Sequence, residues 1–128
     1  MNVLIVDTSS WISYFKGKES DAIDRALQEG RVYLSAVVLS ELISGKMEEG
    51  KRSELVSFLR DLPLCANDFE HWLRVGNLRA LLQSKGLTVS TPDAHIAQCA
   101  LDLKGYLLTE DLVFKKIIPF CPELFLFS

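Results

Sequence analysis

Four acidic residues stand where a carboxylate calls for an explanation. Asp7 directly follows the run Val3-Leu4-Ile5-Val6, a β-branched apolar stretch of the kind buried on both faces of a parallel sheet. An acid there sits at the carboxyl end of a strand, where open α/β sheets bind ligands. Asp111 stands in the same relation to Tyr106-Leu107-Leu108. Asp93 follows Thr91-Pro92, a capping residue and then a first-turn proline, so the free N–H groups and dipole of a helix start favour its ionised form. Glu41 falls in an apolar helical stretch with Val37, Val38, Leu42 and Ile43. A glutamate beside such a stripe is costly unless something pairs it. Singly, each has an ordinary reading: Asp7 and Asp111 as helix caps, Asp93 as a dipole complement, Glu41 as an acid reaching solvent from the stripe's edge.

Jointly, the pattern points to chemistry. Converging carboxylates repel, which raises their pKa values or strains the fold. A hard divalent cation, Mg²⁺ or Mn²⁺, resolves the conflict, since both prefer carboxylate and water ligands. Zinc is disfavoured because no Cys/His cluster shows ligand spacing. His71 and His95 fall in different predicted helices and read as surface or interface residues, although His95 lies close to Asp93. Carboxylates with Mg²⁺ on an α/β sheet suggest phosphoryl chemistry.

The surrounding elements must position these acids. After the first strand, Asp7-Thr8-Ser9-Ser10 suits a turn and helix cap, and a short apolar helix follows through Trp11, Ile12, Tyr14 and Phe15. Core is the default place for this aromatic segment; a dimer face or partner groove is the alternative. Helices are predicted at residues 20–29, from 36 to about 48, at 51–61, from the cap at Asn67 or Asp68 to about 85, from Thr91 to about 104, and from 111 to 118. Strands are predicted at 32–34, weakly at 62–65, at 106–108 and at 124–127. Pro63 makes the 62–65 strand an edge or a strand start, and Gly105 is read as a helix stop. Alternating strands and helices imply a short, mostly parallel central sheet covered on both faces, a three-layer α/β/α sandwich. Right-handed crossovers allow the strands before Asp7 and Asp111 to be neighbours.

Composition narrows the field. The 128 residues suit one domain, 1–128, and the 48% hydrophobic content excludes disorder as the main state. With 14 basic and 17 acidic side chains the formal net charge is −3, which excludes nucleic-acid binding through bulk positive charge. Cys65, Cys99 and Cys121 are odd in number and form no C-x-x-C pair, as in a reducing compartment. No signal peptide or membrane span is read, so the expectation is a soluble cytoplasmic protein.

At this point the motifs resemble the PIN-domain family. Val6-Asp7-Thr8-Ser9-Ser10-Trp11-Ile12 resembles its opening strand and turn, and Leu39-Ser40-Glu41-Leu42 its helical glutamate motif. Asp93-Ala94-His95-Ile96-Ala97-Gln98-Cys99-Ala100 resembles its central Asp helix, and Leu108-Thr109-Glu110-Asp111 with Phe114 its last acidic motif. The order is the family's, and the motifs span residues 6–114. The resemblance is closest to VapC-type ribonuclease toxins of toxin–antitoxin pairs. It implies a Mg²⁺- or Mn²⁺-dependent endoribonuclease in which Asp7, Glu41, Asp93 and Asp111 are both metal ligands and catalytic residues. In-line attack of water on an RNA phosphodiester would leave 5′-phosphate and 3′-hydroxyl ends. It also implies a homodimer restrained by a cognate antitoxin. Asp111 is preferred to Glu110 because it lies two residues after Thr109 and three before Phe114, as in the family pattern. Val113 stands where some relatives carry a further acid, which bears on a second metal. Ser9 and Thr109 are placed to orient carboxylates or to cap turns. Lys46, Lys51, Arg52, Lys115 and Lys116 are candidate phosphate-positioning residues, for single-stranded or loop RNA rather than a regular duplex.

Rival readings fail at diagnostic residues. A haloacid-dehalogenase-like phosphatase needs an Asp at position 9, where Ser stands. A receiver domain needs paired acids after the first strand, and a Rossmann cofactor site needs G-x-G-x-x-G there; neither is present. The remaining alternative is a non-catalytic PIN-fold module that binds RNA or protein.

Overall fold

The computed structural model describes residues 2–127. Strand β1 (Leu4–Val6) is followed by helices α1 (Thr8–Phe15) and α2 (Asp21–Gln28), then β2 (Val32–Tyr33). Four helices follow: α3 (Ala36–Ser44), α4 (Glu49–Arg60), α5 (Phe69–Ser84) and α6 (Thr91–Asp102). The chain then forms β3 (Tyr106–Leu108), α7 (Val113–Ile117), a 3-10 turn (Ile118–Phe120) and β4 (Phe125–Leu126).

The strands form one parallel sheet in the order β2-β1-β3-β4. Leu4, Ile5 and Val6 pair with Tyr106, Leu107 and Leu108 in register, so Asp7 and Thr109 emerge together at the carboxyl ends of adjacent strands. The chain passes in one direction from β1 to β2 and in the other from β2 to β3. Right-handed crossovers then put α1–α2 and α3–α6 on opposite faces. This is the expected three-layer α/β arrangement. It buries β1 completely, with Ile5 and Leu107 at 0% exposure.

Side-chain caps set the helix starts. Ser20, Ser35 and Asp68 accept from the backbone N–H of Ile23, of Val37 and Val38, and of His71, respectively. For α6 the capping residue is Ser90 rather than the expected Thr91, and Pro92 sits one position further in. The helix expected from 36 to 48 ends at Ser44, because Gly45 turns extended and Arg52 reaches back from α4 to bond the Ile43 carbonyl at 2.7 Å. The weak strand at 62–65 reduces to a single parallel bridge between Leu34 and Leu64, an edge position as its proline implied.

After α6, Lys104 rather than Gly105 takes the left-handed conformation, with φ 53°. Gly105 serves a different need: a Cβ there would lie 2.5 Å from the Val3 carbonyl oxygen. Its missing side chain lets β3 start against β1. Among the described residues no helix is long and apolar enough to cross a membrane.

Candidate functional site

Asp7 ends β1 and is 6% exposed. One carboxylate oxygen accepts the Thr8 backbone N–H at 2.8 Å, capping α1. The other accepts the Thr109 hydroxyl at 2.8 Å. Thr109 in turn accepts the Asp111 backbone N–H at 3.0 Å, so one hydroxyl ties the turn after β3 to the acid after β1. Glu41, exposed on α3, accepts the Thr8 hydroxyl at 2.6 Å. Asp93 lies in the first turn of α6, half-buried, and Asp111 is exposed on the turn after β3.

The electrostatics tie these acids together. Burial holds the Asp7 carboxyl above its ordinary range, and the charges of Asp93 and Glu41 add to that rise. Burial likewise raises Asp93, with Asp111 and Glu41 adding repulsion. Asp93 thus interacts with Asp7, Glu41 and Asp111, and Glu41 with Asp7 and Asp93. Among the described residues no Lys or Arg forms an ion pair with any of the four.

The adjacent acids after β3 part company. Glu110 faces Ser13 and Lys18, at 3.0 and 3.1 Å, and these contacts hold its carboxyl below the usual range. Ser9 accepts the Glu110 backbone N–H at 3.3 Å. Its bond fastens the turn to α1 and goes to none of the four carboxylates. Thr8, which the sequence reading did not single out, holds Glu41 instead; its only local signal is a hydroxyl directly after Asp7.

Beside Glu41 lies a cleft of about 650 Å³ with apolar walls that include Ile12, Phe15 and Phe58, and with Lys16, Lys46 and Lys51 among its lining. Of the candidate phosphate-positioning residues, Lys46 and Lys51 therefore share the cleft with Glu41. Arg52 is committed to the α3 end, and Lys115 and Lys116 lie exposed on α7. The aromatic segment divides: Trp11 is buried, whereas Ile12 and Phe15 are exposed on the cleft.

The donor set suits a hard cation. Among the described residues no three of these acids bring ligand oxygens within 4.8 Å of one another. Mg²⁺ keeps several waters and binds through one or two carboxylates, so an open ring of acids that lacks basic partners fits it. Chemically, the arrangement can hold a divalent cation against an anionic substrate at the edge of an apolar cleft.

The histidines overturn their surface reading. His71 and His95 are each 0% exposed and bond each other at 2.7 Å. His71 continues to Asp102 and His95 to Ser35, both at 2.7 Å. Burial, then His71, depresses the His95 pKa to about 4. Bonds to Ser35, to Asp102 and to each other therefore hold the two imidazoles inside the fold, where an apolar environment alone would have excluded them.

Comparison with known proteins places this geometry. The PIN domain profile matches residues 4–118. The structure of DNA-bound VapBC from Salmonella typhimurium is similar at 26% identity over 99% of this chain and 98% of its own, with TM-score 0.81. VapBC2 from Rickettsia felis, bound to a DNA fragment from its promoter, shows 25% identity over 98% and 97%, with TM-score 0.76. VapBC-1 from nontypeable Haemophilus influenzae, at 20% identity over 98% and 97% with TM-score 0.77, shares the fold. A comparison with curated proteins finds no significant match. The profile match runs from β1 through α7 and takes in every segment that carries the four acids; the chain belongs to the PIN-domain family.

Proposed function

We propose that this chain is a divalent-cation-dependent endoribonuclease and the toxin of a toxin–antitoxin pair. The observation that carries the reading is the mutual repulsion of Asp7, Glu41, Asp93 and Asp111, drawn from four separate segments and, among the described residues, in no ion pair with a Lys or Arg. Such a cluster costs stability in a free protein and suits a cation-dependent task.

In this reading Asp7, Glu41, Asp93 and Asp111 hold Mg²⁺ or Mn²⁺, directly or through water. When bound, the cation supplies Lewis acidity toward a phosphodiester and eases deprotonation of water. Thr109 and Thr8 fix the orientation of Asp7 and Glu41 through their hydroxyls. Lys46 and Lys51 draw the RNA backbone toward the acids along the cleft. RNA is preferred to other phosphodiesters on the strength of the family resemblance, and a single-stranded or looped region suits an open cleft better than a regular duplex. Similarity to VapBC structures supports a cognate antitoxin, and the homodimer rests on the family resemblance alone.

The test is cleavage of end-labelled RNA by purified protein with Mg²⁺, Mn²⁺ or EDTA, beside folded Asp7→Asn and Asp93→Asn. Cleavage that needs the cation and both aspartates is expected, with a loss of at least about a hundredfold in each variant. Cleavage that persists in EDTA or in both variants refutes the assignment. Cation binding to the acids with no cleavage of any RNA favours the binding-module alternative.

A further inference from the structure

A second group of ligating side chains lies farther along α6. His95 and Cys99 stand four residues apart, on one face of the helix. The Cys99 Sγ lies 3.6 Å from His95 Nε2 and 3.9 Å from Nδ1. From α5, His71 directs Nε2 at His95 Nδ1, 2.7 Å away. The ligand atoms of His71, His95 and Cys99 all fall within 4.8 Å of one another, which no other trio of such residues achieves among the described residues. Cys65, on the segment that pairs with Leu34, shares with Cys99 the wall of a cavity of about 190 Å³; its thiol lies outside the trio and has to move inward to become the fourth ligand.

We propose that Cys65, His71, His95 and Cys99 form a closed, structural site for a thiophilic divalent cation of the Zn²⁺ class, separate from the carboxylate cluster. Two thiolates and two imidazoles are a donor set of structural zinc sites, and two thiolates balance the ion's charge. Tetrahedral zinc puts S and N ligands about 3.6 Å apart and two N ligands about 3.3 Å apart. The Cys99 Sγ–His95 Nδ1 separation, 3.9 Å, must close by about 0.3 Å to reach the first figure. The His71–His95 pair, at 2.7 Å, must open by about 0.6 Å to reach the second.

The outer contacts are those of metal-binding histidines, whose second nitrogen is held by a carboxylate or another polar group. His71 Nδ1 bonds Asp102, which Arg74 and Gln98 hold in turn. His95 Nε2 bonds Ser35. Both inner nitrogens are thereby left to face each other near Cys99.

Without the cation a single proton fills that gap. In the tautomers with Asp102 ionised and each imidazole carrying one proton, the Ser35 hydroxyl donates to His95 Nε2, His95 Nδ1–H to His71 Nε2, and His71 Nδ1–H to Asp102. On binding, the His95 proton shifts to Nε2 and is donated to the Ser35 oxygen, and each thiol releases its proton to solvent. The ion then joins the 65 segment, α5 and α6, the last of which carries Asp93.

The test is titration of the reduced full chain with Co²⁺, with and without excess Mg²⁺. The expected result is a saturable spectrum at about one ion per chain, with tetrahedral ligand-field bands and a thiolate-to-metal charge-transfer band. Zn²⁺ abolishes it and excess Mg²⁺ leaves it unchanged. Asp7→Asn retains the spectrum, whereas Cys99→Ser and Cys65→Ser each lose charge-transfer intensity. A wild-type chain with no charge-transfer band overturns the proposal, whatever the variants do. So does a band removed by Mg²⁺ or by Asp7→Asn. None of these readouts depends on RNA cleavage, so failure here leaves the nuclease reading standing, and the reverse.

Discussion

Replacing Gly105 with Ala tests how the site is held. The new Cβ would lie 2.5 Å from the Val3 carbonyl oxygen and 3.1 Å from its carbon. An ordinary contact starts near 3.4 Å, so strand and carbonyl must part by 3.4 − 2.5 = 0.9 Å. That same carbonyl accepts the Tyr106 N–H at 2.8 Å, the bond that starts the β1–β3 ladder. A displacement of this size breaks it. The lost bond costs about 1 kcal/mol and the overpacking about 1–3 kcal/mol, giving roughly 2–4 kcal/mol in all. At roughly 4 °C per kcal/mol for a chain of this length, the melting temperature falls by about 8–16 °C. Urea unfolding with an unchanged slope measures the loss directly. Because β3 leads into Thr109 and Asp111, the proposed cation site loosens as well, and divalent-cation affinity measured by calorimetry well below the melting transition falls. A loss under about 0.5 kcal/mol, within the range of an ordinary surface change, refutes the claim that close approach at Gly105 sets the strand spacing.

The neighbouring Lys104 behaves oppositely: Lys104→Gly relieves a left-handed φ of 53° and raises stability by about 0.5–1 kcal/mol, read by urea unfolding. Ser35→Ala removes the α3 cap and leaves His95 Nε2 without its partner, so it costs about 2–3 kcal/mol in the same assay. The pH dependence follows from the raised carboxyls. An acid held above its ordinary 3.8 favours the fold while protonated, a contribution that is full below that value and lost as pH rises through the folded pKa. Asp93→Asn therefore melts above wild type at pH 7 without divalent cation, by about 2 °C for a half-exposed charge. The gap closes below about pH 3, where Asp93 is protonated in both states; a gap that persists there, in thermal melts followed by circular dichroism, contradicts the repulsion argument.

The local signals in this chain were legible because they are local. Val3-Leu4-Ile5-Val6 announces a buried strand by its unbroken apolar run, and an acid directly after such a run must face the sheet's open end. The caps at Ser35 and Asp68 lie within three residues of the N–H groups they satisfy. The four acids were selected by the same logic, each one conspicuous against its own neighbours.

What holds those acids was legible only in part: the family resemblance offered Thr109, and nothing offered Thr8. Thr8 reaches Glu41 across 33 positions and Thr109 reaches Asp7 across 102. His71 and His95, 24 positions apart, read as surface residues because a histidine's burial depends on partners from other elements. Even the i, i+4 placement of His95 and Cys99 carries little meaning until α5 brings His71 against it. Gly105 resembled a helix stop, yet its role is fixed by the Val3 carbonyl across the sheet. Apolar periodicity and capping are properties of a few consecutive residues, so they survive in the sequence. Which side chains meet is decided by strand order and register, and those emerge only when the separate elements share one core.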